Sequence, residues 1–145
     1  MKLKDEKATL SLGGKLAESL RAGDVVTISG PLSAGKTTLV RGLLKALGHE
    51  GEVPSPSFAL VQPYEGLRLS LWHVDLYRIE DHSELDELGL EDIRDDGVLI
   101  VEWPENAPSE IWPEALALSL DVGERGGRTL TARVPTAWED RWPLQ

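Results

Sequence analysis

Gly30-Pro31-Leu32-Ser33-Ala34-Gly35-Lys36-Thr37-Thr38 decides the reading of this 145-residue chain. The stretch fits G-x-x-x-x-G-K-[ST], the pattern of a phosphate-binding loop. Gly30 lets the chain leave a strand sharply, and Gly35 admits backbone close to a phosphate where a Cβ would collide. Successive loop N–H groups then form a concave anion nest, backed by the free N–H groups that open a helix. Lys36 supplies a point charge for the β- and γ-phosphates, and the Thr37 hydroxyl is placed to ligate Mg²⁺. Gly30, Ser33, Ala34, Gly35, Lys36, Thr37 and Thr38 are therefore the candidate nucleotide-binding residues.

The flanks agree with that reading. Asp24 to Ser29 is a short apolar strand that enters the loop. Leu39, Val40, Leu43, Leu44 and Leu47 recur at helical spacing until Gly48, a C′ glycine. Strand, glycine loop and helix follow one another as the motif requires.

Composition narrows the function classes. The length suits one domain, residues 1–145, with a real core. Acids outnumber bases 25 to 15, a net charge of -10, and Lys and Arg form no run. The chain thus lacks the electrostatic footprint of direct nucleic-acid or anionic-membrane binding. Zero cysteines excludes disulfides, thiolate catalysis and cysteine-based zinc sites. Met1 to Lys7 is charged, and no apolar run is long enough to span a bilayer, so a cytoplasmic protein is expected.

Other elements follow in order. Thr9 to Leu20 predicts a short helix weakened by Gly13 and Gly14. Phe58 to Gln62 and Leu67 to Val74, joined by a turn at Pro63 to Gly66, predict an antiparallel pair. Ile79 to Asp96 holds nine acids and one base, Arg94. Within it, Leu85, Leu88 and Ile93 fall at helical spacing, with Ser83 and Asp86 placed as a cap pair. Such a run is a solvated face or, as a sharper alternative, a docking surface for a basic partner. Gly97 to Val101 is continuously apolar, the mark of a central strand, and Pro104 stops it. Ala115 to Asp121 and Arg128 to Val134 predict a final hairpin, and Trp138 and Trp142 predict packing in the tail.

A phosphate loop alone binds nucleotide; hydrolysis also needs carboxylates near the γ-phosphate. Open α/β sheets bind ligands at the carboxyl ends of their strands. Asp75 and Glu102 lie at two such ends, which makes both candidate catalytic residues. Either could hold the magnesium while the other orients or deprotonates the attacking water. Ser57 offers a hydroxyl from a loop, and His73 shares a strand face with Asp75, as a supporting or core histidine. His49, His73 and His82 show no mutual ligand spacing, which argues against zinc.

Together these elements resemble the TsaE (YjeE) family of bacterial ATPases, which take part in making threonylcarbamoyladenosine in tRNA. The resemblance covers nearly the whole chain. It rests on Asp5 through Thr9 to Gly13, on Gly30 to Gly42, and on Ser55-Pro56-Ser57-Phe58. It continues through His73-Val74-Asp75-Leu76-Tyr77-Arg78, Glu84-Leu85 with Leu88-Gly89, and Glu102-Trp103-Pro104. It implies a P-loop NTPase-like three-layer α/β sandwich with a mixed parallel/antiparallel sheet. It also implies ATP as substrate, Mg²⁺ held by Thr37 and Glu102, and Asp75 at the hydrolytic centre. The implied partners are TsaD and TsaB, with tRNA reached only through them. Two positions depart from the family pattern. Pro31 stands where Asp or Asn is usual and removes one N–H, and Ser33 stands where Gly is usual.

Two other classes fit less well. A small-molecule kinase would favour Gly at Ser33 and needs an acceptor site, of which no cluster is evident. A GTPase switch would carry Asn-Lys-x-Asp, whereas the one asparagine, Asn106, precedes Ala107.

Overall fold

The computed structural model describes residues 1–31, 34–53, 61–79, 81–90, 97–108, 111–123 and 127–142. The chain runs β1 (Lys2–Leu3), α1 (Glu6–Ser19), β2 (Val25–Ser29), α2 (Lys36–Ala46), β3 (Val61–Tyr64) and β4 (Leu71–Asp75). There follow α3 (His82–Glu87), β5 (Val98–Glu102), β6 (Leu116–Val122) and β7 (Arg128–Arg133). Short 3₁₀ turns occupy Pro104–Asn106 and Thr136–Trp138.

Seven strands form one sheet in the order β1-β7-β6-β2-β5-β4-β3. The inner four, β6, β2, β5 and β4, are parallel; β3, β7 and β1 add antiparallel margins. This is the mixed α/β sheet expected from the sequence. Val98 to Val101 of β5 are fully buried, because both faces of a central parallel strand are covered. On one face Val26, Ile28, Ile100, Leu116 and Leu118 pack under α1, α2 and Trp138. On the other, Val25, Val74, Leu99 and Val101 pack with Leu85, Ala107 and Trp112. Among the described residues the helix on this second face is the short α3.

The two long helices pack with little space between their backbones. A Cβ on Gly13 would strike the Leu39 carbonyl and come 2.7 Å from the Leu43 nitrogen, and one on Gly42 would strike the Leu10 carbonyl. Gly13, which lowers intrinsic helix propensity, thus joins Gly42 in letting α1 seat on α2. The helix also starts earlier than Thr9. Asp5 caps it by accepting the Ala8 N–H at 2.9 Å.

Three further boundaries differ from expectation. Pro63 and Tyr64 belong to β3, which tolerates proline because it is an edge strand paired only with β4. Leu67 to Leu69 lie outside β4, since the Arg68 N–H is taken by the Leu47 carbonyl at 3.1 Å. The cap of α3 is Asp81, which accepts the Ser83 N–H at 3.0 Å, rather than Ser83 itself. The start of the expected strand at Phe58, the Ser55 to Phe58 loop, and Ile93 lie outside the described residues. Trp138 is 1% exposed and Trp142 packs beside it, as expected of the tail. Arg141 closes the fold with a two-pronged bond to Asp24 at 2.7 and 2.9 Å. Among the described residues no helix is long and apolar enough to cross a membrane.

Candidate nucleotide-binding and hydrolytic site

Gly30 follows β2 with φ 142°, close against the Leu120 carbonyl, where a Cβ would collide. The chain then reaches Gly35, the N-cap of α2, at φ 98° and ψ 17°. That left-handed conformation suits glycine and lacks any side-chain cap. Among the described residues, the N–H groups of Gly35, Lys36, Thr37 and Thr38 meet no acceptor. They are the donors that a helix start always leaves unsatisfied, and such donors can receive an anion. Ala34 is buried, and its N–H instead closes a turn onto the Pro31 carbonyl at 3.2 Å. Pro31 therefore serves the loop as an acceptor. Ser33, like Ser57, lies outside the described residues.

Lys36 is buried, and its side chain folds back over the loop. Its Nζ donates to the Gly30 carbonyl at 2.6 Å and sits 3.9 Å from the centre of the Trp103 ring. Burial lowers the ammonium pKa, against the opposing pull of Glu102, Asp75 and Glu105. Trp103 is the one non-glycine residue of positive φ among those described, at 59°. This uncommon conformation turns its ring under Lys36 and within 4.9 Å of the exposed Tyr77 ring.

Asp75 and Glu102 are register partners at the ends of β4 and β5. Both are buried, at 5% and 3% exposure. The Leu76 N–H donates to the Glu102 carbonyl at 3.1 Å, and the Asn106 amide donates to the Leu76 carbonyl at 2.8 Å, so the two strand ends are tied together. Asp75 accepts the Tyr77 N–H at 2.9 Å, which fixes its carboxylate. Burial first, and the neighbouring Glu102 charge second among the raising causes, push the Asp75 carboxyl above its ordinary value, while the Tyr77 N–H and Lys36 oppose them. His73 is fully buried one pleat below Asp75, with Nε2 2.5 Å from Glu102 Oε2. The bond assigns the Nε2–H tautomer to a histidine facing a carboxylate. His73 is therefore the support of Glu102.

The sequence-chosen residues thus converge on one end of the sheet: Gly30, Ala34 and Gly35 through Thr38 from the loop, Asp75 and Glu102 from two strands. Arg41 sits on the outer side of α2 and pairs with Glu6 at 3.8 Å. No group of three or more acids or histidines among the described residues forms a complete metal cage. The donor set instead suits Mg²⁺, which keeps waters and substrate phosphate oxygens beside one or two carboxylates and a hydroxyl.

A sequence model described as "Threonylcarbamoyl adenosine biosynthesis protein TsaE" matches residues 3–130. The chain belongs to the TsaE family. It is 42% identical to the TsaE of Streptomyces coelicolor over 136 residues, covering 90% of this chain and 91% of that protein. It is 40% identical to the TsaE of Haemophilus influenzae over 117 residues, covering 77% and 73%. Its structure superposes on the crystal structure of Bacillus subtilis YdiB with a TM-score of 0.74, at 28% identity, covering 91% and 82% of the two chains.

Two residues of this TsaE chain gain places that the motif did not assign. Trp103 is visible in the Glu-Trp-Pro segment, but only its positive φ shows that the ring meets Lys36. Arg128 donates through Nε to the Ala34 carbonyl at 3.0 Å, across a separation of 94 residues. Nothing in linear spacing links those two positions.

Proposed function

We propose that this TsaE-family chain is an ATPase that binds and hydrolyses ATP with Mg²⁺, and that it acts with TsaD and TsaB in forming threonylcarbamoyladenosine in tRNA. One observation carries the reading: the open N–H groups of α2, Lys36 and the Asp75–Glu102 pair lie at the carboxyl ends of the parallel strands of one sheet. That geometry combines an anion cradle with paired carboxylates, which is what phosphoryl transfer to water needs.

In the mechanism, the N–H groups of Gly35, Lys36, Thr37 and Thr38 receive the phosphates. Lys36 leaves the Gly30 carbonyl for the β- and γ-oxygens, a stronger, charge-assisted bond. Thr37 and Glu102 would hold Mg²⁺, which would supply positive charge to the phosphate oxygens. His73 keeps the Glu102 carboxylate aimed by donating from Nε2. Asp75 orients the attacking water and takes its proton. Its raised pKa brings the carboxylate closer to the range in which a base works best at neutral pH.

The acidic balance supports leaving tRNA contact to the partners. Exposed Asp81, Glu84, Asp86 and Glu87 of α3 and its cap adjoin the segment carrying exposed Tyr77, a face suited to a basic partner. Titrating the protein with ATP and GTP, and searching for any phosphorylated product besides free phosphate, tests the reading. ATP preference with phosphate release supports it. GTP preference, or transfer to a small acceptor, contradicts it.

A further inference from the structure

We propose that Arg128 is a positioning residue that aims the Gly35 N–H at the bound phosphates. The proposal rests on the nucleotide reading of the loop and adds a determinant of its affinity. Arg128 Nε donates to the Ala34 carbonyl at 3.0 Å, and Nη1 donates to the Gly127 carbonyl at 3.1 Å. Among the described residues no other donor reaches the Ala34 carbonyl. The peptide between Ala34 and Gly35 is trans, so its C=O and N–H point in opposite directions. Holding the carbonyl toward β7 holds the Gly35 N–H toward the nest.

The clamp matters because this peptide is free to turn. Gly35 has no Cβ, and its φ of 98° lies in a region that glycine shares with several others at little cost. A flipped peptide would present a carbonyl lone pair to the phosphate where a donor is needed. The preceding unit is already fixed, since the Ala34 N–H bonds to Pro31. Arg128 fixes the other end from a rigid base: it pairs with Val122 of β6 on one side and Leu3 of β1 on the other. Its stem passes close to Gly35, where an added Cβ would lie 4.0 Å from Nε and 3.9 Å from Thr9 Cγ2.

Arg128→Met removes the donors and keeps the stem; Arg128→Lys keeps the charge but loses the Nε–H direction. ATP affinity by calorimetry, turnover at saturating ATP, and the thermal midpoint without nucleotide separate the possibilities. Both variants should bind ATP about tenfold more weakly, as loss of a charge-assisted bond implies. Turnover at saturation should stay within about twofold, and the nucleotide-free midpoint should hold, because the hydrolytic residues are untouched. If Arg128→Met does not fold, Arg128→Lys carries the test alone. Wild-type affinity in Arg128→Lys would overturn the positioning role, and so would weakening that merely tracks a lowered midpoint. A wild-type protein that binds no ATP would instead overturn the nucleotide reading itself.

Discussion

His73 Nε2 lies 2.5 Å from Glu102 Oε2, and neither side chain is more than 4% exposed. Among the described residues His73 Nδ1 meets no partner, so this one bond is the polar anchor of the ring. A buried histidine in that position orients the carboxylate it bonds.

His73→Leu should raise the Mg²⁺ concentration needed for half-maximal ATP hydrolysis by roughly 10–100-fold, the usual cost of losing a partner behind a metal ligand. His73→Gln, whose amide can still donate to Glu102, should recover much of that loss. An Mg²⁺ titration of phosphate release reads both. Equal Mg²⁺ dependence in wild type and His73→Leu would show that Glu102 needs no such support.

Asp75 predicts a pH-dependent stability. Its carboxyl pKa is raised in the folded chain, so folding favours the protonated form. That contribution is present below the ordinary carboxylate value and is lost as pH rises through the raised one. Asp75→Asn should therefore melt higher than wild type at pH 7, with the difference shrinking toward pH ~4, where the unfolded carboxyl also takes up its proton. Thermal melts across this range check the sign. The same variant should lose turnover by about 10²-fold or more, as removal of a general base does.

Two neighbouring glycines in α1 should respond oppositely to alanine. Gly13→Ala drives a methyl into the α2 backbone and should cost about 1–3 kcal/mol or more. The nearest atom to a Cβ on Gly14 is Ala46 Cβ at 4.0 Å, so Gly14→Ala should gain up to about 1 kcal/mol from helix propensity. Urea denaturation of both proteins resolves the two signs.

Partner stimulation is expected because Arg41, on the helix of the loop itself, is turned outward to pair with Glu6, and an arginine supplied by a partner accelerates phosphoryl transfer by ~10³–10⁵-fold. Phosphate release should therefore rise when TsaD and TsaB are added. Replacing Asp86 and Glu87, both exposed on α3, by lysine should reduce the stimulation and leave the basal rate unchanged. Stimulation that survives the reversal removes α3 from the docking surface.

Much of this architecture is legible along the chain because its signals are local. The loop from Gly30 to Thr38, the apolar run into Val101, and the strand-end acids Asp75 and Glu102 each announce themselves within a few residues. Glu102 and Asp75 even share a register position, as two strand ends in one parallel sheet should. What escapes is set by contacts between distant segments. Gly13 reads as a weak point in a helix until Leu39 and Leu43 are seen against it. Pro63 reads as a turn until β3 proves to be the sheet edge. Arg128 reads as one residue of a hairpin until its guanidinium is found on Ala34. The acids at positions 91–96 lie outside the described residues.

Phosphate release measured beside ATP affinity, in wild type, Lys36→Ala, Asp75→Ala and Glu102→Ala, tests the central claim most directly. Wild type should bind and slowly hydrolyse ATP. Lys36→Ala should lose affinity, since the main charge on the phosphates is gone. Asp75→Ala and Glu102→Ala should still bind nucleotide but turn over far more slowly, and only Glu102→Ala should need more Mg²⁺. Unchanged ATP affinity in Lys36→Ala, together with wild-type rates in both carboxylate variants, would contradict the account.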